Sequence, residues 1–176
     1  MIKELKKETY EGYPLYFSYQ TDEYYDVSVE ERNQRFTIEL IRKPFEQSIK
    51  KGFTSKLFER YLEQPKAYGY FIDEKLVGII AVNFEQWNKR LRVNELLVEQ
   101  DYRRQGIGNK LMDYVKAYAK EIGARALILE TQTCNTKAID YYRAQGFKVI
   151  GIDTISYTNE DIKSKEVRIE LGYIIK

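Results

Sequence analysis

The stretch Leu97-Val98-Glu99-Gln100-Asp101-Tyr102-Arg103-Arg104-Gln105-Gly106-Ile107-Gly108 joins an apolar strand end, a basic turn and two glycines that open a helix. Ile107, Leu111, Val115 and Ala119, with Met112 and Ile122 alongside, keep helical spacing from the glycines to Gly123. The turn therefore presents a row of backbone N–H groups at a helix N-terminus. With the positive end of the helix dipole behind them and arginines in front, these groups suit a phosphate. Two other glycine loops do not fit. A triphosphate-binding P-loop needs Lys-Ser/Thr after its second glycine, and Gly108 is followed by Asn109 and Lys110. A dinucleotide fingerprint needs a third glycine where Leu111 stands.

The pattern on either side is regular. Downstream, Ala126 to Glu130 reads as a strand and Thr136 to Ala144 as a helix. Asn135 stands at the start of that helix, Ala138, Ile139 and Tyr142 share one face, and Gly146 suits its C-terminal cap. Strands are expected near Lys148 to Tyr157 and Lys165 to Leu171. Upstream, Tyr68 to Ile72 and Leu76 to Phe84 read as a hairpin, with Leu91 to Val98 as the next antiparallel strand. The first part, through about Gln64, mixes polar and aromatic residues and is expected to hold a strand at Phe36 to Ile41 and a helix between Ser55 and Leu62. A meander followed by strand, helix, strand, helix implies an α/β (α+β) fold with a mixed, mostly antiparallel sheet flanked by helices.

Composition sets the outer limits. The 176 residues show no repeat, low-complexity tract or linker, which implies a single domain, 1–176. Apolar runs are only strand length, so no membrane partner is expected, and the charged start Ile2-Lys3-Glu4-Leu5-Lys6-Lys7 lacks the apolar stretch of a secretory signal. A net charge of +2, from 29 basic and 27 acidic side chains, gives no field that points to nucleic acid. The single cysteine, Cys134, forms no internal disulfide; it reads as an inert small residue and fits a cytoplasmic setting. The absence of histidine removes histidine-built zinc sites and Ser/His/Asp or Cys/His hydrolase arrangements, so no metal is expected.

The spacing Arg103-x-x-Gly106-x-Gly108 resembles the coenzyme A pyrophosphate loop of the GNAT acetyltransferase superfamily. The segment Asn135-Thr136-Lys137-Ala138-Ile139-Asp140-Tyr141-Tyr142-Arg143-Ala144-Gln145-Gly146-Phe147 resembles a second pattern of the same superfamily, and the two occur in the right order with a strand between them. This resemblance implies acetyl-CoA as co-substrate, with the diphosphate held by Arg103, Arg104, Gln105, Gly106, Ile107, Gly108 and Asn109. It also implies that the strands carrying Val98 and Leu129 lie side by side and splay, with the pantetheine arm pairing to backbone groups of Leu97 and Val98 like an added strand. An N–H near Val98 then faces the thioester oxygen. Asn135 serves as a helix cap or bonds the pantetheine amides. In this frame residues 1–64 form the acceptor-side part and 65–176 the coenzyme-binding and catalytic core.

Acetyl transfer from sulfur to an amine needs a proton removed from the amine and a stabilised thiolate. Tyr142 matches the family position that faces the sulfur. With ordinary pKa values of about 10 for a phenol and about 8.5 for a thiol, full proton donation is uphill by roughly 2 kcal/mol, so Tyr142 is expected to donate a hydrogen bond and only partly a proton. Glu95, a carboxylate in a largely apolar strand whose burial raises its pKa, is the candidate base, and Glu130 competes with it. Glu95 can instead face solvent or pair with Arg92 or Lys89.

Trp87-Asn88-Lys89-Arg90-Leu91-Arg92-Val93 and Gly151-Ile152-Asp153-Thr154-Ile155-Ser156-Tyr157 are similar to segments of streptothricin (nourseothricin) acetyltransferases, a likeness spanning roughly residues 67 to 171. It implies a small cationic amine as acceptor, the β-lysine part of streptothricin. Trp87 and Asp153 are candidate acceptor-wall residues, as are Asp22, Tyr24 and Tyr25 from a segment whose carboxylates and aromatic faces attract polyamines; a solvated acidic loop is the competing reading there. Acetylation of a protein N-terminus or lysine, and a non-catalytic acyl-CoA-binding module, remain as alternatives, and a homodimer is left open.

Overall fold

The computed structural model describes residues 1–176. It begins with a short strand, β1 (Ile2–Leu5), and a one-turn helix, α1 (Lys7–Tyr10). Leu15, Phe17, Tyr19 and Thr21 then turn inward while the residues between them face solvent, a period of two that marks a strand. They lie in β2 (Pro14–Arg32), which pairs with β3 (Arg35–Lys56) as a two-stranded ribbon. The strand expected at Phe36 to Ile41 is thus one part of a far longer one.

The helix expected between Ser55 and Leu62 does not form. Strand β3 runs to Lys56, and the adjacent Leu57 and Phe58 are both buried. Here the chain turns over at Phe58, whose φ is +60°, and Leu57 is pinned by backbone hydrogen bonds from its N–H to Tyr13 O and from Gly12 N–H to its own carbonyl, each 3.0 Å.

From there the elements follow the sequence pattern: β4 (Pro65–Ile72), β5 (Lys75–Glu85), β6 (Arg90–Val98), α2 (Ile107–Glu121), β7 (Ala126–Gln132), α3 (Thr136–Ala144), β8 (Lys148–Asp153), a short α4 (Asp161–Ser164) and β9 (Arg168–Ile174). Strand β8 stops short of Tyr157 because the chain turns onto Asp161. This buried carboxylate accepts from the N–H groups of Tyr157 (2.9 Å) and Thr158 (2.8 Å) and from the Thr158 hydroxyl (2.8 Å). No helix is long and apolar enough to cross a membrane.

Residues 1–17, 53–129 and 172–176 form one compact unit, and 18–52 with 130–171 a second. In the first unit the strand order is β1-β4-β5-β6-β7, antiparallel until the parallel β6–β7 pair. In the second the order is β7-β9-β8. The fold is of the mixed α/β class, a central sheet flanked by helices. Helix α2 covers one face of the first unit's strands with Ile107, Leu111, Met112, Val115 and Ala119, all buried. Leu5, Leu15, Leu57, Phe58, Ala67, Ile79, Ala81 and Leu97 form a second cluster.

Candidate active site

Strands β6 and β7 pair only at Arg90↔Ala126, Leu91↔Leu127 and Arg92↔Ile128, although β6 continues to Val98. The splay expected between them is therefore present, and it leaves the β7-facing edge of Val93–Val98 outside the ladder. Its cause is local. Val93 pairs with Val82 and Glu95 with Ala81 on consecutive residues of β5, so Asn94 is a surplus residue. A bulge of this kind bends a strand and re-aims its side chains.

The same bulge decides where Glu95 points. Opposed residues of an antiparallel pair share a face. Glu95 and Leu97 lie opposite Ala81 and Ile79, members of the second apolar cluster, whereas Val93 lies opposite Val82 on the other face. Were Asn94 an ordinary paired residue, Glu95 would share the face of Val93. With Asn94 left out of the pairing, Glu95 reaches Ser55 near the end of β3, whose hydroxyl donates to Glu95 Oε1. Asn94 Oδ1 is buried and has no hydrogen-bond partner. The competing carboxylate, Glu130, is instead bound to Arg168 Nη2 at 2.5 Å.

The loop after β6 has the form of an anion cradle. A short 3₁₀ turn (Gln100–Tyr102) leads to Arg104 at φ +63° and Gly106 at φ +77°, left-handed positions that turn the backbone under the first turn of α2. No side chain caps that turn; its first intrahelical bond runs from Lys110 N–H to Gly106 O at 3.1 Å. Arg103, Arg104, Gln105 and Asn109 are exposed. Arg103 Nε donates to Val98 O at 3.0 Å and Gln105 Nε2 to Asp101 O at 3.1 Å, which ties the loop to the strand end. Uncapped helix N-terminus, left-handed turn and exposed guanidinium groups all fit a diphosphate. Leu97 is buried in the apolar cluster, so only its backbone is available to a ligand.

The second unit carries the other expected residues. Helix α3 spans the residues expected, with Asn135 as its N-cap; Asn135 Oδ1 accepts from Ala138 N–H at 3.4 Å. Tyr142 is half-buried, its ring centroid 5.3 Å from that of Tyr141 and 6.0 Å from that of Phe147. Asp153 Oδ1 accepts from Ile155 N–H at 3.1 Å, which makes it a turn residue at the end of β8.

The acidic segment is strand, not loop, and much of its charge is already matched. Glu23 meets Arg42 at 2.6 Å, and Asp26 meets Lys43 (2.6 Å) and Lys165 (2.8 Å). The Asp26 carboxyl is held below the ordinary carboxylate range by hydrogen bonds from Lys165 and Lys43. Tyr24 faces Lys165 Nζ at 5.2 Å and Tyr25 faces Arg42 at 5.9 Å, so both rings already lie against cations of the protein itself; Asp22 is exposed. In the first unit, Trp87 is 83% exposed at the β5–β6 turn, stacked on Arg90, at the end of β6 where pairing with β7 is intact.

Sequence reasoning missed three residues of these surroundings. Ser55 carried no motif signal. Asn94 had one, two consecutive polar residues interrupting an alternating strand. Tyr19 donates to Gln132 Oε1 (3.0 Å) and lies 3.4 Å from Cys134 Sγ. Burial and that contact push the Tyr19 phenol well above its ordinary value, and burial also raises the Cys134 thiol, which keeps it protonated.

Residues 15–147 match the model of the Acetyltransferase (GNAT) family. A streptothricin acetyltransferase of Streptomyces lavendulae is 39% identical over 85 residues, covering 48% of this chain and 45% of that protein. The curated relatives of this kind are matched over about half of their own length. Among solved structures, a nourseothricin acetyltransferase superposes with a TM-score of 0.72 at 25% identity, over 100% of this chain and 98% of that one. A Bacillus anthracis str. Ames protein in complex with acetyl coenzyme A shares the fold at a TM-score of 0.75 and 22% identity, over 100% and 97% of the two chains. By the family match, and by a splayed strand pair leading into an uncapped glycine turn, the chain belongs to the GNAT family of acetyltransferases.

Proposed function

We propose that the protein transfers the acetyl group of acetyl-CoA to an amino group of streptothricin, on its β-lysine moiety, and thereby inactivates the antibiotic. The observation that carries the transfer reading is the early end of the β6–β7 ladder at Arg92 and Ile128, followed beyond the end of β6 by the uncapped turn at Gly106. The streptothricin reading is supported by the likeness to streptothricin acetyltransferases over about half of the chain.

Acetyl-CoA supplies an acetyl thioester, already activated toward an amine. The amides of the Gly106 turn and the guanidinium groups of Arg103 and Arg104 hold its diphosphate. The open edge of Leu97 and Val98 aligns the arm, and a strand-edge N–H near Val98 donates to the thioester oxygen as charge develops there. Glu95 takes the proton that the amine loses, the amine nitrogen bonds to the carbonyl carbon, and the carbon–sulfur bond breaks. Tyr142 donates a hydrogen bond to the departing sulfur. Starting from the neutral amine, the products are an amide and the coenzyme A thiolate, with the one proton lost by nitrogen on Glu95 until water removes it.

Purified protein incubated with acetyl-CoA and streptothricin, followed by mass spectrometry, is expected to show the antibiotic carrying one added acetyl group. Acetylated peptides beside unmodified streptothricin would replace this reading with protein acetylation. Coenzyme binding without transfer to either would leave an acyl-CoA-binding module.

A further inference from the structure

The bulge at Asn94 turns Glu95 toward the segment that follows the long ribbon, and that segment is firmly fixed. Leu57 is buried and hydrogen-bonded through both its backbone groups, and Phe58 is buried in a left-handed conformation that the surrounding core must enforce. Two residues before this anchor stands Ser55, whose Oγ donates to Glu95 Oε1. Ser55, Tyr61, Asn94 and Glu95 line one crevice of the first unit, over Ala81 and Val82 of β5. A hydroxyl on an immobile strand end restricts the rotation of a carboxylate on a three-bond stem.

We propose that Ser55 is a positioning residue for Glu95: its hydroxyl engages Oε1, fixes the plane of the carboxylate and stabilises the charged form that accepts the amine proton. This rests on the assignment of Glu95 as base. A hydrogen bond to a carboxylate favours its ionised form, so loss of the bond raises the pH at which Glu95 ionises. The bond is charge-assisted, and its strength sets the size of the effect at about one pH unit.

The test reads Glu95 directly. Protein labelled with ¹³C at glutamate carboxyls is titrated by NMR as wild type, Ser55→Ala and Ser55→Thr, with Glu95→Gln identifying the resonance. The midpoint for Glu95 is expected about one pH unit higher in Ser55→Ala and at the wild-type value in Ser55→Thr, which keeps the hydroxyl. An unchanged midpoint in Ser55→Ala overturns the proposal. A companion series measures kcat/KM against pH with acetyl-CoA and streptothricin. Its acidic limb is expected to move with the NMR midpoint in Ser55→Ala and to vanish in Glu95→Gln. If Glu95→Gln keeps the limb, Glu95 is not the base and that assignment fails, whatever Ser55 does to the carboxylate. If the limb vanishes in Glu95→Gln but is unmoved in Ser55→Ala, the assignment stands and the role of Ser55 fails.

Discussion

Gly78 of β5 lies so close under Ile107 of α2 that a Cβ added to it would stand 2.8 Å from Ile107 Cγ2 and 3.1 Å from Leu111 Cδ1. Ile107 is the first residue of the helix, so this contact sets the height of the Gly106 turn above the sheet. The methyl it meets is attached at a branched Cβ and has little room to rotate. Gly78→Ala is therefore expected to lower stability by about 1–3 kcal/mol and to raise the KM for acetyl-CoA, because the helix start is displaced. Urea unfolding and a coenzyme titration check the two effects together; loss of stability with an unchanged KM would uncouple the contact from the turn.

Gly106 differs from Gly78 in what constrains it. No atom would crowd a Cβ there, but its φ of +77° is one that a β-branched residue resists. Gly106→Val is expected to raise the KM for acetyl-CoA about tenfold or more through a distorted turn, while the thermal midpoint falls only slightly. Steady-state kinetics with varied acetyl-CoA decide it, and an unchanged KM would remove the diphosphate from this turn.

Tyr142→Phe keeps the ring that packs against Tyr141 and Phe147 and removes only the hydroxyl. Turnover is expected to fall about 10- to 100-fold with coenzyme affinity nearly unchanged. Weakened binding at normal turnover, measured by calorimetry and rapid-mixing kinetics, would refute a role at the sulfur.

Asp161 connects pH to stability. Burial opposes its charge, yet hydrogen bonds from Tyr157 and Thr158 prevail and hold the carboxyl below its ordinary range. A lowered folded-state value means that the group stabilises the fold above the unfolded pKa of about 3.9, and that this contribution is lost as pH falls toward the folded value. Asp161→Asn is expected to cost about 1–2 kcal/mol at pH 7, with the gap between variant and wild type closing below about pH 4. Urea denaturation at the two pH values tests this, and a gap independent of pH would contradict it.

The elements that sequence located best are those whose signals are local and redundant. Helix α3 begins at Thr136 and ends at Ala144, as its Asn135 cap and Gly146 stop imply, and the buried stripe of α2 is the one its spacing predicts. The ribbon was harder to see. Leu15, Phe17, Tyr19 and Thr21 do alternate, but Pro44 and Gly52 interrupt β3, and Leu57 with Phe58 mimics the start of an apolar helix face. At the candidate site, the anion turn was legible because backbone geometry follows from glycine spacing. Ser55 was not, because its partner Glu95 is 40 residues away and faces it only through the bulge at Asn94.

That surplus residue makes β6 a strand governed by parity. Exchanging one side chain for another along it alters a local contact, whereas removing a single codon beyond Glu95 would swing the rest of the strand to the opposite face, and removing the one at Asn94 would keep Glu95 and Leu97 opposite Ala81 and Ile79 but take away the bend. Natural or engineered variants of this chain should therefore tolerate spelling changes in β6 far better than changes in its length.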